Sequence, residues 1–249
     1  MEFLPGSIDL YDLFILILSC FIGAIISTTI GTGGGLLVIG GMSLVLPITA
    51  LLSIHASVQA GSGMFRAYLF RKSFLRKFFL IFFLGSLIGF FFSTLTLISL
   101  DENILKLFLG LGIIVFSLLP NFRIINISNL TILFFGAITA FLSMFVGVVA
   151  TILGILLSSM LKDRILIVGT LAWCISFQNL GKAIIFSQVG FDYLPWLLLI
   201  CVLIVVSYLG TLVGKKVLSK SNNKLFEKIL KIVILLLGSN LIIESLIHI

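Results

Sequence analysis

Charged residues are scarce in this sequence. Asp, Glu, Lys and Arg make up 10% of its 249 residues, whereas about a quarter is usual for a soluble globular domain. Residues 13–54 include no Asp, Glu, Lys, Arg or His, while apolar residues reach 60% of the chain and the mean hydropathy is +1.33. This balance excludes a soluble domain. It predicts an integral membrane protein with about eight to ten membrane segments of roughly 20 to 25 residues.

Residues for redox, metal or acid–base chemistry are also lacking. Cys20, Cys174 and Cys201 lie in apolar stretches without the spacing of metal ligands, so they predict small buried side chains and neither a disulfide nor a metal site. Every Asp and Glu falls in a predicted loop or near a segment end, which leaves no carboxylate for proton coupling at the membrane centre. No nucleophile is paired with a base. We therefore expect no enzyme, no cofactor and no metal.

Apolar segments follow one another with short connections. Their approximate ranges are 12–30, 34–47, 52–70, 74–99, 103–119, 129–146, 148–161, 165–187, 192–214 and 226–247. The net charge of +7 is segregated, because basic clusters follow the third and ninth segments and acidic residues follow the fourth and eighth. Since basic loops stay in the cytoplasm, the pattern predicts a multi-pass protein of the cell membrane with both termini outside. It makes nucleic-acid binding a poor explanation of the charge.

The charge pattern also predicts an internal duplication. Residues 1–120 and 121–249 would form two halves of five segments in inverted orientation, which together make one membrane domain. At a shift of 116 positions, Ser27 falls on Ser143 and Arg66 falls on Lys182. The predicted fold is all-α, with two inverted repeats of about five helical segments, each holding a glycine-broken hairpin at membrane depth.

A glycine cluster interrupts the first long apolar run and predicts two helical pieces joined inside the membrane. Freed backbone groups are tolerated there only within protein or around a polar cavity, and a helix that begins at the cluster could bind an oxyanion with its N–H groups. The candidate binding residues here are Ser27, Thr28, Thr32, Gly33, Gly34 and Gly35, with Gly147 at the corresponding break of the second half. The alternative is that small residues serve tight helix packing.

Polar residues in segments three and eight complete the candidate site. Lys182 lies far from either end of segment eight, where inserting a lysine costs about 2.5 to 3.5 kcal/mol, and Gln178 and Asn179 share its helix face. Arg66 would be its counterpart in the first half, and His55 could sense protonation or donate to a substrate. For Lys182 and Arg66 the alternative is snorkelling to the membrane surface. For His55 it is an interfacial histidine without a role.

Residues 27–38 resemble the S-x-x-x-G-x-G-G-G signature of the TauE/SafE family of sulfite exporters and related anion permeases. Residues 141–147 resemble the start of the family's second copy, and residues 168–170 resemble its V-G-T stretch. The chain departs from the family pattern at 148–151, where the glycines usually recur, and around 39–40, where a proline often stands. The resemblance implies a secondary transporter of a small anion, such as sulfite, an organosulfonate or a related organic acid.

The predicted partners are a small anion and the lipid bilayer. A non-transporting membrane scaffold or biogenesis protein is the alternative, in which the glycines serve packing and Lys182 pairs with another protein. Import and export are equally compatible with the pattern. The phenylalanines of segment four are predicted to face lipid, with a homodimer contact as the alternative; they are Phe78, Phe79, Phe82, Phe83, Phe90, Phe91 and Phe92.

Overall fold

The computed structural model describes residues 8–97, 102–118, 124–146, 150–217 and 224–247. Within these ranges the chain is helical and contains no strand, which confirms the predicted all-α class. The helices are α1 (Leu10–Thr29), α2 (Gly34–Ser43), α3 (Ile48–Leu69), α4 (Arg76–Leu97), α5 (Glu102–Leu118), α6 (Asn129–Val146), α7 (Ala150–Met160), α8 (Arg164–Gln188), α9 (Leu197–Val217) and α10 (Lys224–Ile247). A 3₁₀ turn at Leu194–Trp196 precedes α9. Each predicted segment corresponds to one helix.

Four of the described helices are long and apolar enough to cross a membrane. They are Leu10–Thr29, Arg76–Thr96, Arg164–Gln188 and, with the 3₁₀ turn included, Leu194–Lys216. By contrast, α2 and α7 have 10 and 11 residues, and at 1.5 Å per residue each spans only about half of a bilayer core. The chain is therefore a helical membrane protein that combines full-length helices with short ones.

Helix starts follow local sequence signals. Asp9 precedes α1 and its carboxylate accepts a hydrogen bond from the Asp12 backbone at 2.8 Å, while the Asp12 side chain accepts one from the Asp9 backbone. Asp163 precedes α8 and accepts from the Ile165 backbone at 2.9 Å. These side chains satisfy N–H groups that have no partner within a helix.

Close packing of backbone against backbone holds the long helices together. Gly85 and Gly89 place α4 directly on the backbone oxygens of α6, and Gly210 and Gly214 place α9 directly on those of α1. Both pairs of glycines have the small-xxx-small spacing that lets membrane helices approach closely. Further pairs form between α3 and α8 and between α5 and α10. The α3–α8 pair brings two of the most polar helices into the interior.

The phenylalanines of α4 do not share one environment, so the prediction that they all face lipid is wrong in part. Phe91 and Phe92 are exposed, whereas Phe78, Phe82 and Phe90 are buried. The reason is that α4 packs against α6 on one side and α8 on another, and a run of phenylalanines covers every side of a helix.

The connection between α1 and α2 is built on glycine. Gly31 and Gly33 have φ values of 89° and 86°, a backbone region that other residues enter only with strain. Gly34 then lets the start of α2 lie against Gly23 and Ser27 of α1, where a Cβ would overlap both residues. As a result α2 folds back along α1. The corresponding connection of the second half includes Gly147, which lies outside the described residues.

Candidate functional site

A small polar cavity lies where α1, α2, α3, α6, α7 and α8 meet. Its volume is about 30 Å³, more than the roughly 10 to 15 Å³ of such space that a single water molecule needs. The lining residues are Ser27, Gly31, Thr32, Gly33, Gly35, His55, Gln59, Arg66, Ser143, Ala150, Ile175, Gln178 and Asn179. None of these residues is an Asp or a Glu, so the cavity combines hydrogen-bonding groups with positive charge.

Most of the predicted site residues line this cavity. They are Ser27, Thr32, Gly33, Gly35, His55, Arg66, Gln178 and Asn179. Thr28 instead packs against Gly214 of α9, and its hydroxyl donates to the Ala24 carbonyl at 2.8 Å. Gly34 serves the contact between α2 and α1. Lys182 lies one contact away from the cavity, and Gly147 is outside the described residues.

Arg66 and His55 enter the cavity with hydrogen-bonding capacity to spare. Arg66 is 5% exposed and its Nε has no hydrogen-bond partner among the described residues. His55 is 1% exposed and its Nδ1 is equally without a partner, while its Nε2 lies 3.4 Å from the Gln59 amide nitrogen. A buried guanidinium without a carboxylate is costly unless an anion or another strong acceptor compensates it. The cavity is therefore suited to an anion.

Lys182 is fully buried, but its charge is already partnered. Its Nζ donates a hydrogen bond of 2.7 Å to the Ser143 carbonyl and lies 5.6 Å from the centre of the Phe186 ring. Ser143 is in the last turn of α6, where carbonyl groups lack partners within the helix and the helix dipole is negative. Lys182 thus stabilises the end of α6, and Ser143 connects it to the cavity.

The two amides of α8 have different surroundings. The Gln178 side-chain nitrogen donates to the hydroxyls of Thr139 on α6, at 2.9 Å, and Ser86 on α4, at 3.0 Å. The Asn179 side-chain nitrogen donates only within its own helix, to the Ile175 carbonyl at 2.9 Å. Gln178 therefore ties three helices together behind the cavity.

Sequence reasoning left several lining residues out of the candidate site. Ser143 could have been found, because it is the counterpart of Ser27 at the shift of 116 positions. Gln59 could also have been found, since it lies one turn after His55 on the same helix face. Ala150 and Ile175 carry no polar group, so only the tertiary packing identifies them.

A larger cavity leads toward the polar one from one end of the molecule. Its volume is about 390 Å³ and Lys162 and Arg164 lie among its lining residues. Thr32 lines both cavities, and its methyl group packs against Gly154 of α7, where a Cβ would overlap it. We call the larger cavity the vestibule. The contact between Thr32 and Gly154 lies between the vestibule and the polar cavity.

The residues at equivalent positions of the first half are all buried. Lining residues of the vestibule include Gly154, Ile155, Ser158, Ile167 and Val168. Their counterparts 116 positions earlier are Val38, Ile39, Met42, Leu51 and Leu52, and each of these is at most 3% exposed. Phe191 and Tyr193 pack on the same core cluster. Ser158 is exposed and Ile167 is half-buried, whereas their counterparts Met42 and Leu51 are buried, so the α7–α8 end is more open than the α2–α3 end.

Helices long enough to cross a membrane, around a carboxylate-free polar cavity reached from one end, are features of membrane transport proteins. The family model of the sulfite exporter TauE/SafE matches residues 15–241, nearly the whole chain, and the chain belongs to this family. Members of the family are membrane transporters of sulfur-containing anions. No curated protein matches the sequence, and no solved structure matches it either.

Proposed function

We propose that this protein is a secondary transporter that binds a small sulfur-containing oxyanion, with sulfite as the first candidate, in the polar cavity beside Arg66. The observation that carries the proposal is the buried Arg66 guanidinium in a cavity whose described lining residues include no Asp or Glu. Its Nε remains available as a donor.

Several donors around Arg66 suit an oxyanion. Backbone N–H groups at the start of α2, next to Gly33 and Gly35, carry the positive end of the helix dipole. Ser27 and Thr32, which carry hydroxyl groups, line the same cavity. An oxyanion with three or four oxygens can accept from all these groups at once, and glycine permits its close approach. His55 adds a ring nitrogen without a partner among the described residues.

The helix packing supports inverted repeats. Helices that are five apart along the chain are counterparts in the two proposed repeats. When each helix is replaced by its counterpart, the α1–α9 pair becomes the α6–α4 pair, and the α3–α8 and α5–α10 pairs stay the same. The two pairs of glycines on α4 and α9 occupy corresponding helices. We propose that the two repeats are inverted, that the glycine connection of the first lies at membrane depth, and that the repeats exchange conformations to switch access.

In this mechanism the open vestibule is the route to one side of the membrane. Lys162 and Arg164 at its mouth favour the cytoplasm as that side, because basic loops stay there. Thr32 packs on Gly154 of α7 between the vestibule and the polar cavity, so entry would require α7 to move away from Thr32. Return to the other side would open the space now filled by Met42 and its neighbours.

The proposal is tested by uptake of labelled sulfite into vesicles that contain only the purified protein. Unlabelled sulfite, sulfate, thiosulfate, taurine and acetate serve as competitors, and protein-free vesicles provide the background. Saturable uptake, blocked by sulfite and not by acetate, is the expected result. A protein that moves none of these anions under either a proton or a sodium gradient would contradict the proposal and favour the non-transporting scaffold. Blockage by taurine would extend the substrate to organosulfonates.

A further inference from the structure

Two cations that are buried among the described residues occupy corresponding positions but have different surroundings. Arg66 and Lys182 are 116 positions apart, and so are Ser27 and Ser143. Lys182 donates to the Ser143 carbonyl in the last turn of α6. Ser27 is in the last turn of α1, yet Arg66 makes no corresponding bond and lines the polar cavity. One cation stabilises a helix end while the other faces the cavity.

The same asymmetry appears in the space around the two sets of helices. Ser158 of α7 is exposed in the vestibule, and its counterpart Met42 of α2 is fully buried. In the second repeat, Lys182 is bonded to the end of α6 and the vestibule lies beside α7. If the two repeats exchange conformations, the hydrogen bond and the open space should exchange together.

We propose that switching of access exchanges the cation that stabilises a helix end. In the state described here Lys182 is bonded to the end of α6 and Arg66 faces the cavity. In the opposite state Arg66 donates to the Ser27 carbonyl at the end of α1, and Lys182 is released to face the cavity. This inference rests on the proposed alternating-access function and adds that the anion passes from Arg66 to Lys182 during transport.

The physical reason lies in charge compensation. Removing both cations from a polar partner at once would leave two uncompensated charges in a membrane interior, which is strongly unfavourable. A helix C-terminus compensates one of them with its partial negative charge, and a bound anion compensates the other. Each end state therefore presents one cation to the anion.

The test measures which end of the molecule is open when one cation is neutralised. Two reporters, Ser158→Cys and Met42→Cys, are made separately in a background in which Cys20, Cys174 and Cys201 are replaced by alanine. The rate of modification by a hydrophilic maleimide is measured on the full-length protein in detergent without added anion. Detergent exposes both ends to the reagent, so the test needs no assumption about membrane orientation.

Lys182→Gln should slow modification at Ser158→Cys and speed it at Met42→Cys, because it removes the bond that stabilises the present state. Arg66→Gln should do the reverse, because it removes the bond of the opposite state. Loss of a hydrogen bond to a charged group predicts a change of about tenfold or more in the ratio of the two rates. Lys182→Arg and Arg66→Lys should restore the original ratio in part. Lys72→Gln, which removes an exposed charge, is the matched control.

Shifts in opposite directions support the exchange. Unchanged ratios, or shifts in the same direction, in variants that remain monodisperse would overturn it. If Lys182→Gln does not fold, Arg66→Gln decides alone: a rise in the ratio of Ser158→Cys to Met42→Cys modification supports the exchange, and no rise overturns it. The modification test measures no transport, so its failure would overturn the exchange of cations without contradicting the proposed transport function. Absence of sulfite uptake would contradict the transport function, and the modification rates would still test the exchange.

Discussion

Position in the membrane does not explain how Arg66 and Lys182 differ; their neighbours do. Both side chains are buried, and snorkelling to a surface is therefore not how either charge is accommodated in this state. Lys182 reaches a helix carbonyl at 2.7 Å, while Arg66 keeps an Nε without a partner among the described residues. At the scale of single residues, charge that remains unpaired next to a cavity is what makes an anion site.

Neutralising Arg66 should abolish transport. We expect Arg66→Gln to lower the rate of sulfite uptake more than about tenfold, because it removes charged hydrogen bonds to the anion. Arg71→Gln is the control, since Arg71 is exposed and, among the described residues, donates to the Tyr68 carbonyl and lies over its ring. Uptake assays on both variants at equal protein content make the comparison. An Arg66→Gln protein with wild-type rates would remove Arg66 from the site.

Substitutions of the two amide residues of α8 should have different effects, one mainly on stability and the other mainly on transport. Gln178→Leu loses the hydrogen bonds to Ser86 and Thr139, so the free energy of unfolding should fall by about 1 to 3 kcal/mol. Asn179→Leu loses only a bond within its own helix, so its stability should change less while its uptake falls, since the polar group leaves the cavity. Thermal unfolding in detergent and uptake are measured for each variant. Equal destabilisation of the two would contradict this division of roles.

At the scale of helices, glycine has two separate functions here. In the α1–α2 connection Gly31 and Gly33 supply the positive φ values that end one helix and start the next. Between α4 and α6, Gly85 and its neighbours supply only the absence of a side chain. The two alternatives of the sequence, a binding site and tight packing, therefore apply to different glycines of one chain.

Adding a methyl group at the α4–α6 contact should destabilise the protein. Gly85→Ala would bring a Cβ onto the Leu133 carbonyl oxygen, so the helices must separate at a cost of about 1 to 3 kcal/mol. Gly61→Ala is the matched comparison, because its Cβ would meet only side-chain atoms, those of Ile204 from 2.6 Å outward, and no backbone, while both substitutions improve helix propensity by about 1 kcal/mol. Thermal unfolding in detergent compares them. A Gly85→Ala protein as stable as Gly61→Ala would refute the close contact.

For the whole molecule, orientation follows from the charge of the connections. Lys72 lies in the exposed basic turn between α3 and α4, and Ser187 is exposed at the end of α8 near Asp192. The open vestibule has Lys162 and Arg164 at its mouth. We propose that the basic ends face the cytoplasm and the acidic ends face outward, with both termini outside.

Cysteine modification in intact cells tests this orientation. In a background free of native cysteines, Ser187→Cys should react with a membrane-impermeant maleimide, while Lys72→Cys should react only after the membrane is permeabilised. Cells without the protein provide the background. Reaction of Lys72→Cys in sealed cells would invert the proposed topology and make the vestibule face outward.

Sequence alone was enough to predict the membrane class, the order of the helices and the family, because hydropathy and the spacing of small residues are local properties that need no partner. It also predicted Arg66, His55, Gln178 and Asn179 as candidates, since polar groups in apolar helices are costly wherever the helices pack.

Only the tertiary structure decided which neighbour each side chain meets. Thr28 packs on α9 and not in the cavity, Lys182 bonds to Ser143, and Ala150 lines the cavity without a polar group. The open and closed ends were equally invisible, because Ser158 and Met42 differ in exposure through the arrangement of whole repeats. The physical reason is that apolar helices resemble one another along the chain. Their facing surfaces are chosen by shape and by distant hydrogen-bond partners, neither of which local sequence records.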